Sequence, residues 1–178
     1  RGGMQFRAAA TQKLKPAKYP SFSLDEERKG EIIDLVHESG RDVPLSKVRF
    51  EDGAISFIPA PLGTKVGQRI SFGLNSEIID GNVISIQNIP DGTIVCNVEK
   101  QFGDGGSFIK TAGADATVFS HADDGVILKL ASGKFKKLNP KNRAMIGTLA
   151  GGGVEDRPFM RAGVKMMRFK SKGQKYPI

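Results

Sequence analysis

Residues 89–99 read Ile89-Pro90-Asp91-Gly92-Thr93-Ile94-Val95-Cys96-Asn97-Val98-Glu99, a turn followed at once by an apolar run. Proline fixes φ, glycine supplies positive φ, and the aspartate between them bonds its own backbone, so Pro-Asp-Gly reverses the chain. Thr93 to Val98 is strand length and rich in β-branched residues. Cys96 lies inside this run and has no second cysteine to pair with, which predicts a small core residue rather than a disulfide or metal ligand.

The same alternation of turn and strand continues on both sides. Upstream, Glu31 to Val36, Ser46 to Phe50, Ala54 to Ile58, Gln68 to Phe72 and Val83 to Ile86 are short apolar-alternating runs. They are separated by Glu38-Ser39-Gly40, Glu51-Asp52-Gly53, Leu62-Gly63 and Asp80-Gly81-Asn82. Downstream come Ala116 to Phe119, Val126 to Leu130, Lys134 to Leu138 and Ala144 to Leu149, with a hairpin expected at Ala131-Ser132-Gly133. Evenly spaced short strands predict a mainly β chain of two small barrels, divided near residues 87–92. Helix is scarce, its best candidate being Leu24 to Arg28 with Ser23 as a cap.

A chain of 178 residues with 39% hydrophobic content can build one ordinary domain or two small barrels. No run of about eighteen apolar residues occurs, and Arg1-Gly2-Gly3-Met4 lacks the apolar stretch of a secretory signal, so neither a membrane span nor secretion is expected. The formal net charge of +8 is distributed unevenly. Residues 1–18 carry five basic side chains and no acid; residues 134–178 carry twelve against Glu155 and Asp156; the middle holds the remaining ten against seventeen acids. Strongly basic ends on a mildly acidic body predict a polyanionic partner, with solvated tails as the plainer alternative.

Chemistry of other kinds finds little footing. Gly103-Asp104-Gly105-Gly106 and Gly151-Gly152-Gly153 can bring backbone N–H groups to a phosphate, but neither has the spacing of a nucleotide-binding loop, and tight turns explain them as well. His37 and His121 read as strand-end or loop residues; a hydrolase or transferase built on His121 with Asp123 or Asp124 has no spacing motif behind it. The tail segments Met166-Met167-Arg168-Phe169-Lys170 and Lys172-Gly173-Gln174-Lys175-Tyr176 interleave cations with apolar and aromatic groups, a pattern suited to phosphate neutralisation with base stacking.

Several separated stretches, in order and over nearly the whole chain, resemble the universal large-subunit ribosomal protein L-two family, in wording nearer its archaeal and eukaryotic-cytosolic form. They include Phe6-Arg7-Ala8, His37-Glu38-Ser39-Gly40-Arg41-Asp42-Val43-Pro44-Leu45, Gly81-Asn82-Val83 and the opening segment 89–99. Gly103-Asp104-Gly105-Gly106, Arg143-Ala144-Met145-Ile146-Gly147 and Ala150-Gly151-Gly152-Gly153 continue the series. The resemblance implies an oligonucleotide-binding-like barrel over 26–88 and an SH3-like barrel over 89–156, flanked by basic extended termini at 1–25 and 157–178. It implies RNA contact by Arg41, in the family's Gly-Arg-x-x-Pro loop, and at Lys110, where the family usually has arginine; a lysine there keeps a point charge but loses a bidentate fork.

Together with charge placement, this gives the candidate RNA-binding set Arg1, Arg7, Lys13, Lys15, Arg41, Lys110, Lys136, Lys141, Arg143, Arg157, Arg161, Lys165, Arg168, Lys170 and Lys172. The expected function is a non-enzymatic structural constituent of the large ribosomal subunit, in the cytoplasm, with ribosomal RNA and neighbouring ribosomal proteins as partners. No cofactor, metal, membrane or small-molecule substrate is expected. An RNA-binding translation factor or RNA chaperone is the alternative. The family normally continues past Lys-Tyr/Trp-Pro into a glycine- and histidine-rich loop, whereas this sequence starts at Arg1 and stops at Lys175-Tyr176-Pro177-Ile178, so a fragment or the ordered portion of a longer protein is expected.

Overall fold

The computed structural model describes residues 13–21, 27–74, 76–122, 124–154 and 156–175. Among them, ten strands form one continuous sheet: β1 (Arg28–Val36), β2 (Leu45–Phe50), β3 (Ile55–Pro59), β4 (Arg69–Gly73), β5 (Val83–Ser85), β6 (Ile94–Cys96), β7 (Ala116–Ala122), β8 (Gly125–Leu130), β9 (Phe135–Leu138) and β10 (Arg143–Ile146). The spatial order is β3-β2-β1-β4-β5-β10-β6-β7-β8-β9. All pairings are antiparallel except β4 with β5, which the segment between them must cross over to make parallel.

Strand alternation fixes which side chains enter the core. In β2, Val48 and Phe50 are buried while Arg49 between them is exposed, and Val48 lies opposite Ile32 of β1. Two separate clusters result. The first gathers Ile32, Val48, Phe50, Ile58, Ile70 and Phe72, with Phe72 packed against Phe50 at 5.2 Å between ring centroids. The second gathers Val95, Val98, Val118, Val126, Leu128 and Leu138. Each fully buried side chain of this size contributes about 1.5–3 kcal/mol.

The last strand joins the two cores. β10 pairs with β5 on one side and β6 on the other. Along these central strands successive residues point to opposite faces. Val83 and Met145 therefore enter the first cluster, while Ile84, Ala144 and Ile146 enter the second. Cys96 is wholly buried in the first, and burial pushes its thiol up to about 12, as expected of a core residue.

Three local expectations are revised. Of the helix expected at 24–28, residues 24–26 lie outside the described residues, and Arg28 opens β1. The C-terminal extension is not extended throughout: Ala162–Ser171 forms helix α1. Its Lys, Met and Arg content favours helix despite Gly163, and Arg168 and Lys170 in the last turn suit the helix dipole. The glycine clusters serve backbone packing. A Cβ on Gly113 would sit 2.4 Å from the Cα of Gly152, and one on Gly106 would sit 2.4 Å from Asn97 Oδ1. Neither position admits a side chain.

Candidate nucleic-acid interface

The N-terminal segment 13–21 crosses the body and is held at several points. Ala17 bridges Phe57 in parallel, the Lys18 amide donates to Phe57 O at 3.1 Å, and the Tyr19 amide donates to Gly105 O at 3.0 Å. Tyr19 is buried, and its hydroxyl donates to Asn97 O at 2.6 Å. Burial, reinforced by the negative charge of Glu99, holds its phenol well above the ordinary value.

Behind Tyr19 lies a fully buried ion pair. The Arg143 Nη2 donates to Glu99 Oε1 at 2.6 Å, with the two residues 2% and 0% exposed. Glu99 also accepts the Gly105 and Arg143 amides, while Arg143 Nη1 donates to Pro20 O at 3.1 Å. The guanidinium sits 5.5 Å from the ring centroids of both Tyr19 and Phe102. Arg143 is thus a correction to the candidate set: its charge is spent inside the protein, where it locks the N-terminal segment to β10.

This locked segment brings together cations that are far apart in sequence. Gly40, at φ +83°, reverses the chain before Arg41. Arg41 Nε donates to Glu38 Oε2 at 2.5 Å, and the other Glu38 oxygen accepts the Leu14 amide at 3.1 Å. The hydrogen bond from Arg41 is the main reason the Glu38 carboxyl sits below the usual carboxylate range. Lys13, Lys15 and Arg41 line one groove with Glu38. Lys110 approaches the same N-terminal segment, donating from Nζ to Ala17 O and to Gly106 O at 2.9 Å each. Its ammonium pKa is lowered by burial and then by the nearby charges of Arg41 and Lys18. Lys110 therefore spends one of its three donors on the N-terminal segment and a second on Gly106 O, and one remains.

The other candidates are spread along the second half and the C-terminal segment. Lys141 is exposed, and Lys136 Nζ lies 6.0 Å from the Phe108 ring centroid. Arg157, Arg161, Lys170 and Lys172 are exposed; Lys165 and Arg168 are half-buried, and Arg168 lies 5.4 Å over the Phe159 ring. Spacings of four, three and four place Arg161, Lys165, Arg168 and Lys172 along one side of α1. Like charges so arranged repel, and a polyanion relieves the repulsion. Arg1 and Arg7 lie outside the described residues.

Lys18 is a contributor that charge counting noticed but did not single out; only the 13–21 docking places it beside Lys110 and Arg41. Glu38 and Glu99 were likewise unmarked, although Glu38 stands three residues before Arg41. The His121 alternative does not assemble on Asp124. His121 Nδ1 meets Asp91 at 2.7 Å instead, Asp124 pairs with Lys137, and Asp123 lies outside the described residues. Among the described residues no cluster of metal-ligating side chains occurs, and no helix is long and apolar enough to cross a membrane.

Residues 79–177 match the family model described as Ribosomal Proteins L2, C-terminal domain. The chain is 69% identical over 178 residues to the large ribosomal subunit protein uL2 of Cenarchaeum symbiosum, covering 100% of this chain and 73% of that one. It is 68% identical to the uL2 of Nitrosopumilus maritimus at the same coverages, and 39% identical to that of Sulfolobus acidocaldarius, covering 100% and 74%.

Proposed function

The chain belongs to the large-subunit ribosomal protein L2 family, in its archaeal form, and from that premise we propose that ribosomal RNA occupies the groove lined by Lys13, Lys15 and Arg41 together with the cationic side of α1. The protein is a structural constituent of the large ribosomal subunit, and the family is not enzymatic. Family membership favours this role over a cycling translation factor or chaperone.

One observation carries the assignment of the groove: the docked N-terminal segment sets Lys13 and Lys15 in one groove with Arg41, and Lys110 is hydrogen-bonded to Ala17 O of the same segment. Packing cations together is unfavourable unless an anion supplies the counter-charge. Glu38 offsets part of that charge and orients Arg41, leaving other guanidinium N–H groups to meet phosphate oxygens. Lys110 adds a point charge through its remaining donor.

A salt titration tests the assignment on a fragment of large-subunit ribosomal RNA. Arg41→Ala is expected to weaken binding and to reduce the slope of log affinity against log salt by roughly 0.7–0.9, one phosphate contact. Exposed Lys65, which does not line the groove, is the control. Equal losses for Arg41→Ala and Lys65→Ala would remove the groove from the interface.

A further inference from the structure

β7, β8 and β9 form a ribbon at the end of the sheet, and its inner face gives Val118, Val126, Leu128 and Leu138 to the second core. The outer face carries two large aromatic rings. Phe119 and Phe135 are 55% and 56% exposed and meet edge to face, with centroids 4.9 Å apart. β8 separates their strands, so the two rings meet over it.

A bulge helps make this pair. The register between β7 and β8 shifts between Val118 and Ser120, which leaves Phe119 as the extra residue outside the ladder. Val118 stays in the core while the Phe119 ring reaches Phe135. The register also sets Lys129 opposite Phe135 and Lys137 opposite Ile127, so both lysines share the aromatic face. Exposed Lys134 stands at the hairpin beside them.

Residues 116–138 hold four lysines against Asp123 and Asp124, and Asp124 pairs with Lys137. Lysines on an edge strand such as β9 discourage a further strand from pairing, but that purpose does not call for exposed phenylalanines. Aromatic rings framed by ammonium groups match a ligand with flat π-faces and regularly spaced anions, which is single-stranded nucleic acid.

We propose that the outer face of β7–β9 is a stacking platform for unpaired bases of RNA, with Phe119 and Phe135 taking the bases and Lys129 and Lys134 the flanking phosphates. The ligand class rests on the RNA-binding reading above, but none of the residues belongs to the Arg41 groove. Stacking is tolerant of sequence, so the platform grips a looped-out strand without reading its bases.

The test uses the full chain with a short oligouridylate and an abasic oligomer of equal length, which keeps the phosphates and removes the stacking faces. The parent is expected to prefer oligouridylate. Phe119→Ser/Phe135→Ser should lose roughly 5- to 150-fold in affinity for oligouridylate per base unstacked, with abasic affinity and salt slope unchanged. Phe119→Leu/Phe135→Leu, which keeps apolar surface without aromatic faces, should lose the preference too. Phe135→Trp should retain it, with tryptophan emission quenched by oligouridylate and not by the abasic oligomer. Equal binding of both oligomers by the parent overturns the proposal. So does a leucine variant as good as the parent, which would mark an apolar protein-docking face. Either failure leaves the Arg41 salt slope intact, so the two readings fall separately.

Discussion

Removing the Glu99 carboxylate should do more damage than removing any surface charge. Its Oε1 accepts Arg143 Nη2 at 2.6 Å and the Gly105 amide at 3.0 Å, and its Oε2 accepts the Arg143 amide at 3.0 Å. Glu99→Ala therefore strands a buried guanidinium without its counter-charge and leaves two amides without these acceptors. Breaking one side of such a pair costs about 3–5 kcal/mol. With a urea slope of about 2–3 kcal/mol/M for a domain of this size, the unfolding midpoint should fall by about 1–2.5 M. The double variant Glu99→Leu/Arg143→Met removes both charges while keeping volume and should recover most of that loss. Amide exchange at Lys18 and Tyr19 should still quicken in the double variant, because the bond from Arg143 to Pro20 O is gone. A loss below about 1 kcal/mol for Glu99→Ala, typical of an exposed pair, would refute the reasoning. So would a double variant as unstable as the single one.

Lys110→Met keeps the aliphatic stem but loses both bonds to Ala17 O and Gly106 O; exchange of the Lys18 and Tyr19 amides should quicken roughly tenfold, at about 1.4 kcal/mol per factor of ten, and unchanged exchange would free Lys110 of its tethering role. Glu38 has a folded-state pKa below its unfolded value, so its contribution is present above the unfolded pKa of roughly 4.3 and is lost as pH falls through the lower folded value. The Leu14 amide, which donates to Glu38, should therefore show an NMR shift titrating with a midpoint below that of a free glutamate; a midpoint at or above it would contradict the Arg41 pairing.

The strands were legible because one face of each is buried and alternation records that fact. β2 shows it plainly, with Val48 and Phe50 inside and Arg49 out. The placement of β10 was not legible: Arg143-Ala144-Met145-Ile146 is buried at every residue, so its pattern names no face, and nothing local says that it separates β5 from β6. Helix α1 was missed because Gly163 and the charge density argue against an independent helix, whereas its Lys, Met and Arg propensities are individually small. Among the candidate cations, residue type could not separate Arg143 from Arg41. Both are arginines in glycine-bearing contexts, and only the tertiary position of Glu99, 44 residues away, turns one inward.

That distinction changes how the charge segregation should be read. Part of the acidic middle is engaged within the fold: Asp52 pairs with Arg28, Glu31 with Arg49, Glu38 with Arg41, Glu99 with Arg143 and Asp124 with Lys137. Two of those partners, Lys137 and Arg143, belong to the basic C-terminal stretch counted as RNA-facing, so the cationic excess offered to a polyanion is smaller than the sequence tally. What remains is more ordered in space. Glu38 takes hydrogen bonds from both Leu14 and Arg41, and so fixes the groove walls relative to each other while neutralising only one of the cations there. A groove set in this way before RNA arrives spends little of its binding energy on ordering side chains. On α1, by contrast, four cations share a side, and the mutual repulsion along it is what a polyanion would relieve.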